Sequence, residues 1–301
     1  MTAFNVENEV NTTIWPAKWG QERRLEFIDF RLLWEGRLNR ADLTSHFGIS
    51  VPQASMDLAR YQELAPGNLL YDRQQKTYIP AASFRPLMES VNAFTFLNQI
   101  RQVEEGMLPK EATFLGWYPS TGVVRLPARK IDVQVLRLLL DAIRRTIRIG
   151  IQYQSMSRTE PKERVISPHA IVFDGIRWHV RGYCHERNEF RDFVFARITN
   201  VSLDASGLIG VSGDGDQAWN SFVEVKLAVA PHLSEGQKRA VEVDYGMDHG
   251  LLTLRVREAL LLYFYQQLPL FEPVGRARYN QIILQNRESL LPYFEKLGID
   301  L

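Results

Sequence analysis

Residues 167–198 read SPHAIVFDGIRWHVRGYCHERNEFRDFVFARI, and the fold turns on how this stretch divides. Two sets of turn residues, Asp174-Gly175 and Glu186-Arg187-Asn188-Glu189, cut it into three pieces rich in β-branched and aromatic side chains. Such pieces between turn signals are strands. With IRIGIQYQSMS at 147–157 ahead of them, they predict a small β-barrel or a strongly bent sheet. Side chains alternate between faces along a strand. On the central strand Arg177, His179, Arg181 and Tyr183 therefore lie on one side, and Trp178, Val180 and Gly182 on the other, where Trp178 is expected to pack. The same parity groups Arg191, Phe193, Phe195 and Arg197 on the next strand, and Tyr153 with Ser155 on the first. Together these sets predict one concave face of guanidinium, imidazole, phenol and hydroxyl groups, suited to phosphate and to stacked bases.

Charge points to the same region. The chain has 301 residues, a net charge of +1 and 45% hydrophobic residues, so it has to bury a core and is no wholesale polycation. Residues 126–210 nevertheless hold fourteen Lys plus Arg, twelve of them Arg, against nine Asp plus Glu. Arg presents a planar fork that matches phosphate, carboxylate and base edges. An anionic partner and a solvated face with local pairs to Asp174, Glu186 and Asp192 both fit those counts. The one cysteine, Cys184, excludes an intramolecular disulfide, and the opening MTAFNVENEV is no apolar leader. The most apolar run, Ala259 to Tyr265, is too short to span a bilayer. The expected compartment is the cytoplasm, with no membrane partner.

Residues 1–80 carry nine cations against ten acids. Leu25, Ile28, Leu32 and Leu33 recur at helical spacing between Gln21 and Trp34. Asn39 with Asp42 caps a short second helix that ends at Gly48. Ser50 with Gln53 is a capping-box pair, and Pro52 suits a first turn, so a third helix starts at about Val51. Its inner stripe is Ala54, Leu58, Tyr61 and Ala65, which turns Pro52, Gln53, Met56 and Arg60 outward, with Ser55 at the margin. That is the layout of a helix-turn-helix whose second helix enters a major groove. After Pro66-Gly67, two short strands around a polar turn form a wing with Arg73 and Lys76 at its tip. The expected DNA contacts are Ser50, Pro52, Gln53, Ser55, Arg60, Arg73 and Lys76. Three helices and a hairpin serve equally well as a plain structural unit, and the charge of this block favours that reading.

Phe84–Val103 predicts an apolar connecting helix, residues 108–129 an irregular boundary, and Ile131–Arg145 another helix. Beyond the central strands, strands near 223–230, 251–256 and 281–284 and helices near 234–241, 258–267 and 287–297 give a βαβ-like α+β module. The fold class is α+β, divided as 1–83, 84–130, 131–206 and 207–301.

The segment 167–198 resembles the WYL domain of bacterial transcription regulators, an Sm-like small barrel. The order of winged helix, barrel and C-terminal remainder matches that family over nearly the whole chain. FGISVPQASMDLARYQEL, residues 47–64, resembles the recognition helix of WYL repressors encoded beside phage-defence loci such as BREX and CBASS. The name-giving triplet departs, reading Trp178-His179-Val180. The resemblance implies a polar pocket of Tyr153, Ser155, His169, His179, Arg181, Arg191 and Arg197, with Phe193 as a stacking partner. It also implies a C-terminal extension that dimerises. For His169, a role in fixing the turn after Pro168 is the alternative.

Catalytic signals are weak. His185-Glu186-Arg187-Asn188-Glu189 lacks the second histidine of a zinc-protease helix and falls in a turn. Cys184 with two histidines falls short of a structural zinc pattern, and Gly213-Asp214-Gly215-Asp216 lacks the rest of a calcium loop. No cofactor, metal or catalytic residue is expected. The sequence thus predicts a homodimeric repressor of a phage-defence operon. It would bind palindromic double-stranded operator DNA and be released by a nucleotide or single-stranded nucleic-acid effector. An activator of the same build, and a nucleic-acid-processing enzyme recruited by its winged helix, are the alternatives.

Overall fold

The computed structural model describes residues 18–127, 129–203, 209–268 and 280–296, in two compact units that divide between Arg125 and Leu126.

In the first unit, α1 (Lys18–Glu35) and α2 (Arg40–Phe47) meet at a turn where the Asp42 carboxylate accepts the Asn39 N–H at 2.6 Å. Gly48, at φ 63°, takes the left-handed conformation that ends α2. Next, α3 (Val51–Leu64) starts where the Ser50 hydroxyl accepts the Gln53 N–H. Its stripe of Ala54, Leu58 and Tyr61 is buried against Leu25, Phe27, Ile28, Leu32 and Leu43. The wing is the antiparallel pair β1 (Leu69–Asp72) and β2 (Thr77–Pro80), and a backbone bridge from Leu38 to Tyr78 ties it to the end of α1. The Asp72 carboxylate accepts the Gln74 and Gln75 N–H groups and fixes the turn at 73–76.

The expected connecting helix is shorter than its apolar pattern suggests. It begins at Ala93, as α4 (Ala93–Glu104), where Asn92 accepts the Thr95 N–H. Upstream, Arg85 precedes a proline, which disfavours helical backbone. The Asn68 amide grips both the N–H and the carbonyl of Arg85, holding this segment in turns. Asn68 also donates to the Tyr61 hydroxyl, which donates to the fully buried Asp29, whose other oxygen takes the Met88 N–H at 2.7 Å. Burial pushes the Asp29 carboxyl above its usual range.

The second unit opens with α5 (Val133–Arg145), capped by the Asp132 carboxylate. A five-stranded antiparallel sheet follows: β3 (Ile149–Tyr153), β4 (Lys162–Phe173), β5 (Trp178–Cys184), β6 (Glu189–Val194) and β7 (Ile198–Leu203), in the order β6-β5-β4-β3-β7. Its apolar face, with Ile149, Ile151, Ile166, Val180, Cys184 and Phe193, packs on Val135, Leu139 and Ala142 of α5. Of the two expectations, barrel or bent sheet, the barrel is corrected: the sheet is open. β6 and β7 are joined only by a single 3-10 turn at Phe195–Arg197, yet that turn carries the chain from one edge to the other and the two strands do not pair.

After Ser212, a 3-10 turn and the short α6 (Gln217–Asn220) lead to β8 (Phe222–Val229), α7 (Glu235–Tyr245), β9 (Leu251–Arg257), α8 (Leu261–Gln267), β10 (Ile282–Leu284) and α9 (Arg287–Lys296). These strands form an antiparallel sheet ordered β10-β8-β9, so the connection through α7 is no parallel βαβ crossover. Val223, Val225, Leu227, Leu261, Leu290 and Phe294 form its core.

The pairing of β4 with β5 shifts between Pro168 and Ala170, which brings the β4 backbone onto Gly182. A Cβ there would sit 2.7 Å from the Ser167 carbonyl oxygen and 2.9 Å from the Pro168 Cα, both backbone atoms with little freedom to yield. Gly182→Ala should destabilise the second unit by about 1–3 kcal/mol in urea denaturation, as overpacking does, while Gly236→Ala, at an open helical site, should not.

Candidate nucleic-acid interface and effector pocket

The outward face of α3 differs in detail from the expected one. Pro52 is exposed, and Ser50 is exposed and spent on the cap. Gln53 does not complete a capping box. Its amide turns along the helix and donates to Asp57 at 3.2 Å. Asp57 is fully buried and ion-paired with Arg24, Nε to Oδ2 at 2.6 Å, so it anchors α3 to α1. The Ser55 hydroxyl donates to the Val51 carbonyl and accepts from Arg40. Arg60 is exposed and paired only with exposed Glu63, a contact of little strength. Arg73 and Lys76 stand exposed in the wing turn, Lys76 at φ 53°. Arg40, which the sequence reading missed, adds a cation beside Ser55. Its signal was its place in the first turn of α2.

In the second unit, register divides the predicted polar face in two. Gly182 pairs with Arg191, and Val180 with Phe193. Residues directly opposite each other share a face, so Arg191 and Phe193 lie opposite to Arg181 and His179. On the Arg181 side the charges are satisfied internally. Asp216 takes Arg181 Nε at 2.6 Å and Nη2 at 3.0 Å, Asp192 takes Nη1 at 3.0 Å, and Arg181 is 6% exposed. His169 Nε2 meets Asp216 at 2.9 Å, and His179 Nε2 meets Asp174 at 2.8 Å. From α8, Tyr263 donates to Asp192 and Gln267 to the Asp174 carbonyl. Burial works to raise the Asp216 carboxyl, but the Arg181 guanidinium, with the Trp219 N–H and His169, more than offsets it, and the group ends below its usual range. Burial lowers His169. Trp178 is not packed as expected: it is 46% exposed, with its ring against Phe173. Arg197 is half-buried in the 3-10 turn.

The opposite side holds a cavity of about 180 Å³ lined by Tyr153, Ser155, Ser157, Arg158, Arg164, Arg187, Arg191, Asp192 and Phe193. The structure therefore brings together Tyr153, Ser155, Arg191 and Phe193 from the expected pocket, and leaves His169, His179, Arg181 and Arg197 outside it. Tyr153 and Phe193 meet edge to face at 5.2 Å between centroids. Ser155 and Ser157 bond each other in the turn after β3. The Arg164 side chain is only 9% exposed. Its Nη1 reaches Glu186 at 3.3 Å, and its buried Nε has no hydrogen-bond partner among the described residues. Arg191 pairs with exposed Glu189. Four guanidiniums and three hydroxyls can hold an anion, and the volume, below the 300–1,000 Å³ of ordinary ligand pockets, suits one anionic group rather than a whole nucleotide. Among the described residues, no group of three or more His, Cys, Asp or Glu side chains is placed to hold a metal, and no helix is long and apolar enough to cross a membrane.

Comparisons with known proteins match this layout segment by segment. Residues 20–102 match the BrxR transcriptional regulator winged helix-turn-helix domain, residues 134–203 the WYL domain, and residues 222–290 the BrxR transcriptional regulator C-terminal dimerization domain. A protein of Stenotrophomonas maltophilia named DNA-binding transcriptional repressor CapW is 44% identical over 254 residues, 84% of this chain and 85% of that one. CapW proteins of Escherichia coli and Pseudomonas aeruginosa are each 41% identical over 91% of this chain and 92% of their own length. The chain belongs to the BrxR/CapW family of WYL-domain regulators. In this member of the BrxR/CapW family, Arg158, Arg164 and Arg187 are the pocket residues that alternation within single strands did not reveal. Arg158 and Arg187 come from turns, and Arg164 faces the pocket only because β4 pairs it with Ile151.

The Asp216 carboxyl is held below its ordinary value of 3.8, so its stabilising contribution is complete above that pH and is lost as pH falls through and below it. Asp216→Asn leaves Arg181 short of a partner and should cost roughly 3 kcal/mol in urea denaturation near neutral pH. The gap to the parent chain should shrink as the medium is taken below about pH 4. An unchanged gap would mean that the pair does not hold the unit together.

Proposed function

We propose that this chain is a DNA-binding transcriptional repressor of a phage-defence operon. It works as a homodimer whose two winged helices straddle a palindromic operator in the cytoplasm. A nucleotide or single-stranded nucleic acid releases it by seating a phosphate in the arginine pocket of the WYL sheet. The observation that carries the reading is the exposed N-terminal half of α3, flanked by Arg40, Arg60 and the wing cations Arg73 and Lys76, in a chain whose relatives are named repressors.

Three further features support it. The match to a C-terminal dimerization domain favours two heads, and two-fold symmetry doubles the contacts that one winged helix makes. The buried, unpartnered Arg164 Nε favours an anion in the pocket. The absence of sequence signals for a nucleophile, base or metal set favours a regulator over an enzyme. An effector shifts operator occupancy only by its differential affinity for the bound and free forms.

The test is a mobility-shift titration on DNA upstream of the chain's own coding region. Arg73→Ala and Lys76→Ala should weaken binding on all sequences alike and reduce the salt slope by about 1 for each phosphate no longer neutralised. Arg164→Ala and Arg191→Ala should keep operator binding but abolish release by a panel of mononucleotides and short single-stranded oligonucleotides. Operator binding that falls equally in both pairs of variants would contradict the division of labour, and no sequence-selective shift would contradict the repressor reading.

A further inference from the structure

Several of the hydrogen-bonding groups expected to read bases from α3 are already engaged. One N–H of the Gln53 amide is held by Asp57, and Asp57 is fixed by Arg24, so the orientation of that amide is tied to the anchor of its own helix. Ser55 is bonded at both its donor and its acceptor side. What the first two turns leave to solvent is apolar: Val51 at 56% exposure, Met56 at 64%, and Pro52 between them. Met56 lies four residues after Pro52 and four before Arg60, in the outward stripe. A single exposed methionine on a protein surface is ordinary. This one sits where a second helix would enter a groove, between Pro52 one turn before it and Arg60 one turn after it, with Arg40 bonded to Ser55, and the two cations can hold phosphates.

The apolar group that B-DNA displays in its major groove is the C5-methyl of thymine. We propose that Met56, with Val51 and Pro52 beside it, is a specificity-determining residue that reads thymine methyl groups in the operator. This rests on the DNA-reading role proposed above and names what that helix recognises. The unbranched, polarizable thioether adapts to the methyl's position, while Val51 is stiff and supplies a fixed wall. Specificity then comes from apolar contact and shape, with the arginines setting register on the backbone.

The experiment uses the full chain and an operator fragment delimited by footprinting. The fragment is prepared once with thymidine and once with deoxyuridine throughout, which removes the methyl groups and keeps base pairing and the O4 acceptor. The parent chain should bind the deoxyuridine operator roughly three- to tenfold more weakly. Met56→Ala should bind the thymidine operator more weakly and lose most of that discrimination, and Met56→Leu should retain part of it. Because the side chain is exposed, both variants should melt at the parent temperature. Equal affinity of the parent for both operators overturns the proposal, as does the same loss factor in parent and Met56→Ala, which would assign the methyl effect to DNA shape or to another residue. Selective binding persists in either case, so the repressor reading stands. If neither operator is bound selectively, it is that reading which falls.

Discussion

Two carboxylates from distant parts of the chain close on one guanidinium, and the working layout of the second unit depends on that contact. Arg181 lies in the middle of β5, nearly without solvent, with Asp192 from β6 and Asp216 from the turn before α6 taking three of its N–H groups. An unpaired buried arginine would cost several kcal/mol, and its carboxylates as much again. The clasp turns that liability into a seam. Asp216 also takes His169, and Asp192 takes the Tyr263 hydroxyl, so the WYL sheet, the linker and α8 are joined through charged and polar side chains rather than through apolar packing alone. With this face neutralised, the arginines left for an anion are those of the other face. β6 serves both, because Arg191 and Phe193 line the pocket while Asp192, between them at its rim, gives its carboxylate to the clasp.

The first unit solves a related problem by similar means. A recognition helix must present a fixed face to DNA while its other side packs, and α3 is held by apolar contacts plus two buried carboxylates. Asp57 joins it to α1 through Arg24, and Asp29 joins α1 to Tyr61 of α3 and to the Met88 backbone. Fixing the helix in this way ties one N–H of Gln53 to Asp57, and Val51, Pro52 and Met56 are the exposed residues of the first two turns.

Much of this was legible in the sequence. The existence of α1 followed from periodicity, though it begins at Lys18 rather than Gln21, and the bounds of α2 and the start of α3 followed from Asn39 and Ser50 as caps and from Gly48 as a stop. The strands around 147–198 followed from their composition and turn residues. What alternation cannot supply is parity between strands. That depends on register, and between β5 and β6 it is set by the turn at 185–188, which no single strand encodes. Arg181 and Arg191 were therefore placed on one face when they lie on two. Asp216 was read only as part of an incomplete calcium loop, because its partner is 35 positions away. The start of α4 was misjudged for a comparable reason: Phe84, Leu87 and Met88 pack against the core at helical spacing, yet a distant side chain, Asn68, holds their backbone in turns. Gln53 was a different failure, since Asp57 lies four residues on in the same helix and the pairing was there to be read.

In the proposed complex α3 lies in a major groove, and a second copy does the same on the same face of the duplex. Hydroxyl-radical footprinting of the full chain on DNA upstream of its own coding region tests this arrangement. The account predicts two protected half-sites of related, inverted sequence, separated by about one helical turn, 10–10.5 base pairs, or a multiple of it. A single protected site, uniform protection without sequence preference, or half-sites on opposite faces of the helix would contradict it.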